Sequence, residues 1–124
     1  MAQEDKITAG SLLAKQAVCY IREHSGQKFS LSEIARALFV NRNYLARVFR
    51  QETGVTLLQY HHFVRCKKAK KLLAETDLPV AEISAAVGYV SPAHFSHQFK
   101  KITGCAPSLW RTSRAESGDL SSGV

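Results

Sequence analysis

Arg42, Asn43, Ala46, Arg47 and Arg50 recur between Asn41 and Gly54 at intervals that bring them to one face of a helix, opposite the apolar Leu45, Val48 and Phe49. A guanidinium fork bonds both major-groove acceptors of guanine at once, and a carboxamide does the same for adenine. Each such pair discriminates by about 1–3 kcal/mol. Arg47 is the first candidate for the arginine role and Asn43 for the carboxamide role, while Arg50, further along, suits a backbone phosphate. Fifty residues downstream the equivalent places hold Pro92, Ala93, Ser96 and His97, with Lys100 and Lys101 beyond them for phosphates. That second set has no arginine, so it should discriminate less sharply, through His97, through apolar contact with thymine methyls or through shape. The first set is expected to dominate specificity.

Other chemistry is poorly supported. His94 and His97 lie three apart on one helix face, a geometry that holds metals, but no Cys, Asp or Glu lies close in sequence to complete a shell. No metal and no cofactor is expected. His61 and His62 are adjacent on a helix and face different ways. The three cysteines, Cys19, Cys66 and Cys105, are odd in number and far apart, with no CxxC and no zinc spacing, so reduced structural thiols are expected. A catalytic thiol needs a base and an opening. Cys66 sits mid-helix, Cys19 lies within an amphipathic helix, and Cys105, beside a helix end, reads as the least buried. An enzyme is not expected.

The two reading sets belong to a repeat. Leu45, Phe49, Gly54 and Tyr60 are answered at a separation of 50 by Phe95, Phe99, Gly104 and Trp110, and Ile34 and Leu38 at a separation of 49 by Ile83 and Val87. The second copy therefore carries one extra residue in its inter-helix turn. A period this long marks a duplicated supersecondary unit. Each copy reads as a short helix, a tight turn, a longer helix and a glycine stop, the pattern of a helix-turn-helix.

Helix limits follow from caps. Ala14, Ala17, Val18 and Ile21 give an initial helix over about 12–24, closed by Ser25-Gly26. Ser30 with Glu33 forms a capping box that opens a helix at Leu31. Asn41 caps the next helix and Gly54 ends it in the left-handed conformation. Thr56 with Gln59 opens the longest helix, to about Glu75, packed through Tyr60, Val64, Ala69, Leu72 and Leu73. Pro79 and Glu82 start a helix through Val87, Ser91-Pro92 starts one to Ile102, and Pro107 opens a last short helix carrying Trp110. The expected class is all-α, about seven helices in two helix-turn-helix subdomains joined by a long central helix. The divisions are an N-terminal arm (1–11), a first subdomain (12–56), the connecting helix (57–76), a second subdomain (77–113) and a flexible tail (114–124), rich in Ser and Gly.

The chain has a formal charge of +7, unevenly placed. Residues 41–115 hold twelve Lys/Arg against four acids, whereas residues 1–40 hold five against four. A basic excess on the stretch containing both reading sets is the footprint of a polyanion partner. No run of about 18 apolar residues exists to span a bilayer, and MAQEDKITAG lacks the pattern of a signal peptide, so no membrane role is expected and the place is the cytoplasm, on the nucleoid.

The stretches NYLARVFRQETG, DLPVAEISAAVGY and HFSHQFKKITGCAPSLWR, with the helix containing Arg65, Ala69, Leu72 and Leu73, resemble the DNA-binding domain of the AraC/XylS family of bacterial transcription regulators from Phe29 to Arg111. The resemblance implies two helix-turn-helix units on a connecting helix, their second helices entering successive major grooves of double-stranded DNA. Positions matching Asn43, Ala46 and Arg47 face the groove in the family, and the arginine at the place of Arg65 is structural. It also implies an activator working beside RNA polymerase. Base reading is thus assigned to Arg42, Asn43, Ala46, Arg47, Ala93, Ser96 and His97, and phosphate contact to Arg50, Lys100, Lys101 and Arg111.

Phe39 stands where the family usually has glycine, so the first turn should bend differently or bury an aromatic, and Ser84 replaces a customary alanine. No effector pocket is visible: the chain acts without a ligand or is the end of a longer regulator with a sensing and dimerising domain. The competing readings are a non-specific architectural DNA binder and a protein-interaction module without a DNA role.

Overall fold

A computed structural model describes residues 8–113. Its elements are α1 (Ala9–Glu23), α2 (Leu31–Ala37), α3 (Arg42–Thr53), α4 (Leu57–Glu75), α5 (Val80–Ala86), α6 (Pro92–Thr103) and a helical segment over residues 107–113, α7. The fold is all-α, as the periodicity predicts. The expected tail lies outside the described residues, and so does most of the expected arm.

The caps set the boundaries. Asn41 Oδ1 accepts from the amides of Asn43 at 2.8 Å and Tyr44 at 3.2 Å, and Ser91 Oγ accepts from those of Ala93 at 3.1 Å and His94 at 3.3 Å. Each such cap is worth about 1 kcal/mol. Thr56 and Gln59 bond reciprocally, amide to side chain in both directions, at 2.8 and 3.0 Å. Gly54 and Gly104 close α3 and α6 with φ of 84° and 94°, where a side chain would be strained.

One boundary differs from the sequence reading by more than a residue. α1 begins at Ala9 rather than near residue 12, because the Thr8 hydroxyl accepts from the amide of Ser11 at 3.1 Å. Gly10 is useful inside this first turn: a Cβ there would lie 3.3 Å from a methyl carbon of Val48, so glycine lets α1 approach α3 closely.

The chain forms two compact units, one up to Val64 and the other from Arg65, with α4 contributing a half to each. In the first, Leu13, Ala17 and Ile21 of α1, Ile34 of α2, Leu45 and Phe49 of α3, and Leu57 and Val64 of α4 make the core. In the second, Ala69 and Leu73 of α4 pack with Ile83, Val87, Tyr89, Phe95 and Phe99. Trp110 of α7 meets Phe99 edge-on at 6.0 Å, and Tyr60 meets Phe49 likewise at 6.0 Å. The duplication thus extends to aromatic pairs. Ser84 is fully buried and its hydroxyl has no hydrogen-bond partner, a polar atom where an alanine would leave nothing unsatisfied.

The two inter-helix turns share one backbone design. The amides of Phe39 and Val40 donate to the carbonyls of Arg36 and Ala35, and those of Gly88 and Tyr89 to Ala85 and Ser84. Phe39 and Gly88 both adopt positive φ, 59° and 106°. Phe39 therefore neither bends the turn differently nor buries its ring. The hydrogen bonds hold the glycine-like geometry, and the ring goes to solvent, 93% exposed. The extra residue of the second turn is Val90, which lies between Tyr89 and the cap Ser91 and is fully exposed.

Candidate nucleic-acid interface

In the first unit α3 is fixed at both ends by Asn41 and Gly54 and along one side by Leu45, Val48 and Phe49. Its remaining side chains have only the outward face. Arg42, Asn43, Arg47 and Arg50 are exposed there, and Ala46 is half-buried between them. Asn43, Ala46, Arg47 and Arg50 form one wall of a depression of about 450 Å³, closed by Phe29, Leu31, Thr56, Leu57 and Leu58. Four of the five predicted residues thus share a concave surface.

Two contacts steady this face. The Arg47 guanidinium carbon lies 5.3 Å from the centre of the Tyr44 ring, and Arg42 Nη1 donates to Ser32 Oγ of α2 at 3.3 Å. Neither Tyr44 nor Ser32 figures in the sequence reading. The spacing of Tyr44 three residues before Arg47 is the signal that identifies it, since such pairs are neighbours on a helix surface.

In the second unit α6 is held by Ser91, Gly104, Phe95 and Phe99. Ala93, His94, His97, Lys100 and Lys101 are exposed and Ser96 is half-buried. Behind the start of α6 stands Tyr89. Its ring meets His94 edge-on at 5.3 Å, packs on Phe95 at 5.5 Å and receives the Arg65 guanidinium at 4.9 Å. Arg65 is 6% exposed. Burial draws its pKa down, against the opposing influence of Tyr89, and burial pushes the Tyr89 hydroxyl up to about 12. Arg65 is therefore a packed, structural cation.

Arg111 departs from its expected place on a phosphate. Its Nε, Nη1 and Nη2 donate to the carbonyls of Leu73, Leu78 and Thr76 at 3.1, 2.8 and 3.1 Å. Those carbonyls belong to the end of α4 and the loop after it, where free acceptors and the negative end of the helix dipole attract a cation. The side chain is half-buried and occupied.

The central lysines stand as a mostly solvated set: Lys67, Lys68 and Lys71 are exposed and Lys70 is half-buried. Cys66 is buried, which pushes its thiol pKa up and away from nucleophilic behaviour. The most exposed thiol is Cys19, not Cys105, which is half-buried behind the end of α6. Cys19 points outward because Ala14, Ala17 and Ile21 take the inward positions of α1. Among the described residues no cluster of three His, Cys, Asp or Glu could hold a metal, and no helix is long and apolar enough to cross a membrane.

Residues 34–113 match the protein family described as a helix-turn-helix domain. The chain is 33% identical over 98 residues to the arabinose operon regulatory protein of Escherichia coli (strain K12), covering 78% of this chain and 34% of that protein. Among solved structures it is similar to the C-terminal domain of AraT, a response regulator from Geobacillus stearothermophilus, at 35% identity and a TM-score of 0.80, covering 86% of this chain and 89% of that one. It is also similar to the DNA-binding domain of AdpA, a global transcriptional factor solved in complex with a target DNA, at 28% identity and a TM-score of 0.76, covering 83% and 94%. The chain spans about a third of the length of the curated relatives it matches. The duplication written into the residues is that of the AraC/XylS family of transcription regulators, and the chain belongs to that family as its paired helix-turn-helix DNA-binding domain.

Proposed function

We propose that the chain recognises a two-part DNA sequence by inserting α3 and α6 into successive major grooves, with the first unit supplying most of the discrimination. The observation that carries this reading is the outward face of α3. Asn43 and Arg47, groups that bond adenine and guanine in pairs, stand exposed on a helix whose every other side is fixed by caps and core. Base contact would fall to Arg42, Asn43, Ala46 and Arg47 on α3 and to Ala93, Ser96 and His97 on α6. Arg50, Lys100 and Lys101 would hold phosphates. The 19 residues of α4 rise about 28 Å, most of the 34 Å or so between grooves on one face of the duplex.

The regulatory outcome we infer is activation, with the bound chain beside RNA polymerase on the nucleoid in the cytoplasm. A sensing and dimerising domain would supply effector control.

The test is selection from a random duplex pool at about 150 mM salt, near physiological ionic strength. Two information-rich boxes about 10 base pairs apart are expected. Arg47→Ala should relax the preference at one base pair of the stronger box, and unchanged selectivity in that variant would sink the assignment. Binding without an enriched motif would mean that phosphates carry the affinity and that the chain is an architectural binder.

A further inference from the structure

The two reading helices present different kinds of charge at equivalent places. At a separation of 50, Tyr44 corresponds to His94, Arg47 to His97 and Arg50 to Lys100. In α3 the middle place is a permanent cation lying over an aromatic ring. In α6 both aromatic and cationic places are imidazoles, exposed on the same outward face. Pro92, Ala93 and Ser96 bring no charge, so along the first two turns of α6 any cation must be a protonated histidine.

We propose that His97 reads the second half-site only as the imidazolium, so that recognition of that half-site depends on pH while recognition of the first does not. The inference rests on the DNA reading proposed above. An imidazolium offers two N–H donors and a positive charge to guanine or to a phosphate. The neutral ring offers one donor and an acceptor, which suits neither as well. Histidine is the side chain whose ordinary charge change falls between about pH 5 and 8, and a polyanion beside it favours the charged form.

The elements packed against α6 bring Glu82 on α5, Tyr89 in the turn, Arg65 and Lys70 on α4 and Arg111 on α7, while α6 itself brings His94, edge-on to Tyr89, with Lys100 and Lys101; the His97 variants below separate His97 from His94. Tyr89 stays neutral across this range, its hydroxyl being pushed up to about 12. Arg111 is occupied by three carbonyls.

The experiment uses the two half-sites recovered by selection at about pH 6, in one intact duplex and in duplexes with either half-site scrambled. Fluorescence anisotropy at fixed ionic strength, at about pH 6 and pH 8, gives the preference for each half-site. The preference of the unaltered protein for an intact second half-site should be about tenfold at the lower pH and largely lost at the higher. His97→Arg should keep that preference at both pH values and His97→Gln should lack it at both. Being exposed, His97 tolerates either change without touching the core. A second-half-site preference equal at both pH values, a pH dependence that survives in His97→Gln, or no second half-site recovered would overturn the inference. Selective binding through the first half-site in those cases leaves the DNA-reading function standing. No selective binding at either pH removes both.

Discussion

Arg47 does not stand alone on α3. A guanidinium lying over Tyr44 has fewer rotamers open to it than one in free solvent, so less conformational freedom is lost when it meets a base. A cation–π contact at an exposed site is worth about 0.5–1 kcal/mol. If Arg47 reads a base pair as proposed, Tyr44→Ala should reduce the preference there by about two- to fivefold, and Tyr44→Phe, which keeps the ring, should leave it intact. Competition binding with base-substituted duplexes measures this. A Tyr44→Ala protein as selective as the unaltered one would show that the ring does not position the arginine. The sequence makes the outward face legible because the inward residues, Leu45, Val48 and Phe49, are apolar at helical spacing. It leaves Arg111 illegible, because the three carbonyls that hold it come from residues 33 to 38 positions away and only the folded chain brings them together.

At the scale of elements, the turns and helix ends make separate predictions. Phe39 holds a positive φ with its ring in solvent, so it bears backbone strain of about 1–2 kcal/mol without packing to offset it. Phe39→Gly relieves the strain but loosens the unfolded chain, leaving a net gain of about 0.5–1 kcal/mol. Urea unfolding followed through the first unit should show it, and a loss of stability would mean that the ring makes contacts that matter to the fold. Arg111 closes the other end of the problem, the exit from α4. Arg111→Ala should cost the second unit about 2 kcal/mol, while the salt slope of DNA binding stays where it was. A slope lowered by about one would return Arg111 to the phosphates. Helix boundaries are well written in the sequence where a cap is followed by an apolar period, as at Asn41, Thr56 and Ser91. They are poorly written at Thr8, where Gly10 sits inside the first turn and its tight approach to Val48 is invisible until the fold is built. The sequence likewise marks the residue at place 39 as unusual, and the turn's hydrogen bonds, not its composition, decide where the ring goes.

For the whole molecule, the proposed function has charge set affinity and the outward faces of α3 and α6 set choice. Residues 41–115 carry twelve Lys/Arg against four acids, so binding to any duplex should weaken steeply with salt, by a slope of about 0.9 for each phosphate neutralised. Lys100→Ala should lower that slope by about one and weaken all sequences alike, whereas an effect confined to one half-site would make Lys100 a reader of bases. The boundary between the two compact units has its own consequence, because it falls at Val64–Arg65, inside α4, instead of in a loop. Modules joined by a loop can be traded by recombination at almost any length of joint. Here a graft is a splice within a helix: one residue added or removed at the joint turns everything downstream, the second core included, by about 100° about the helix axis. New pairings of the two readers are therefore expected to arise by substitution on their outward faces, with the length of α4 held constant.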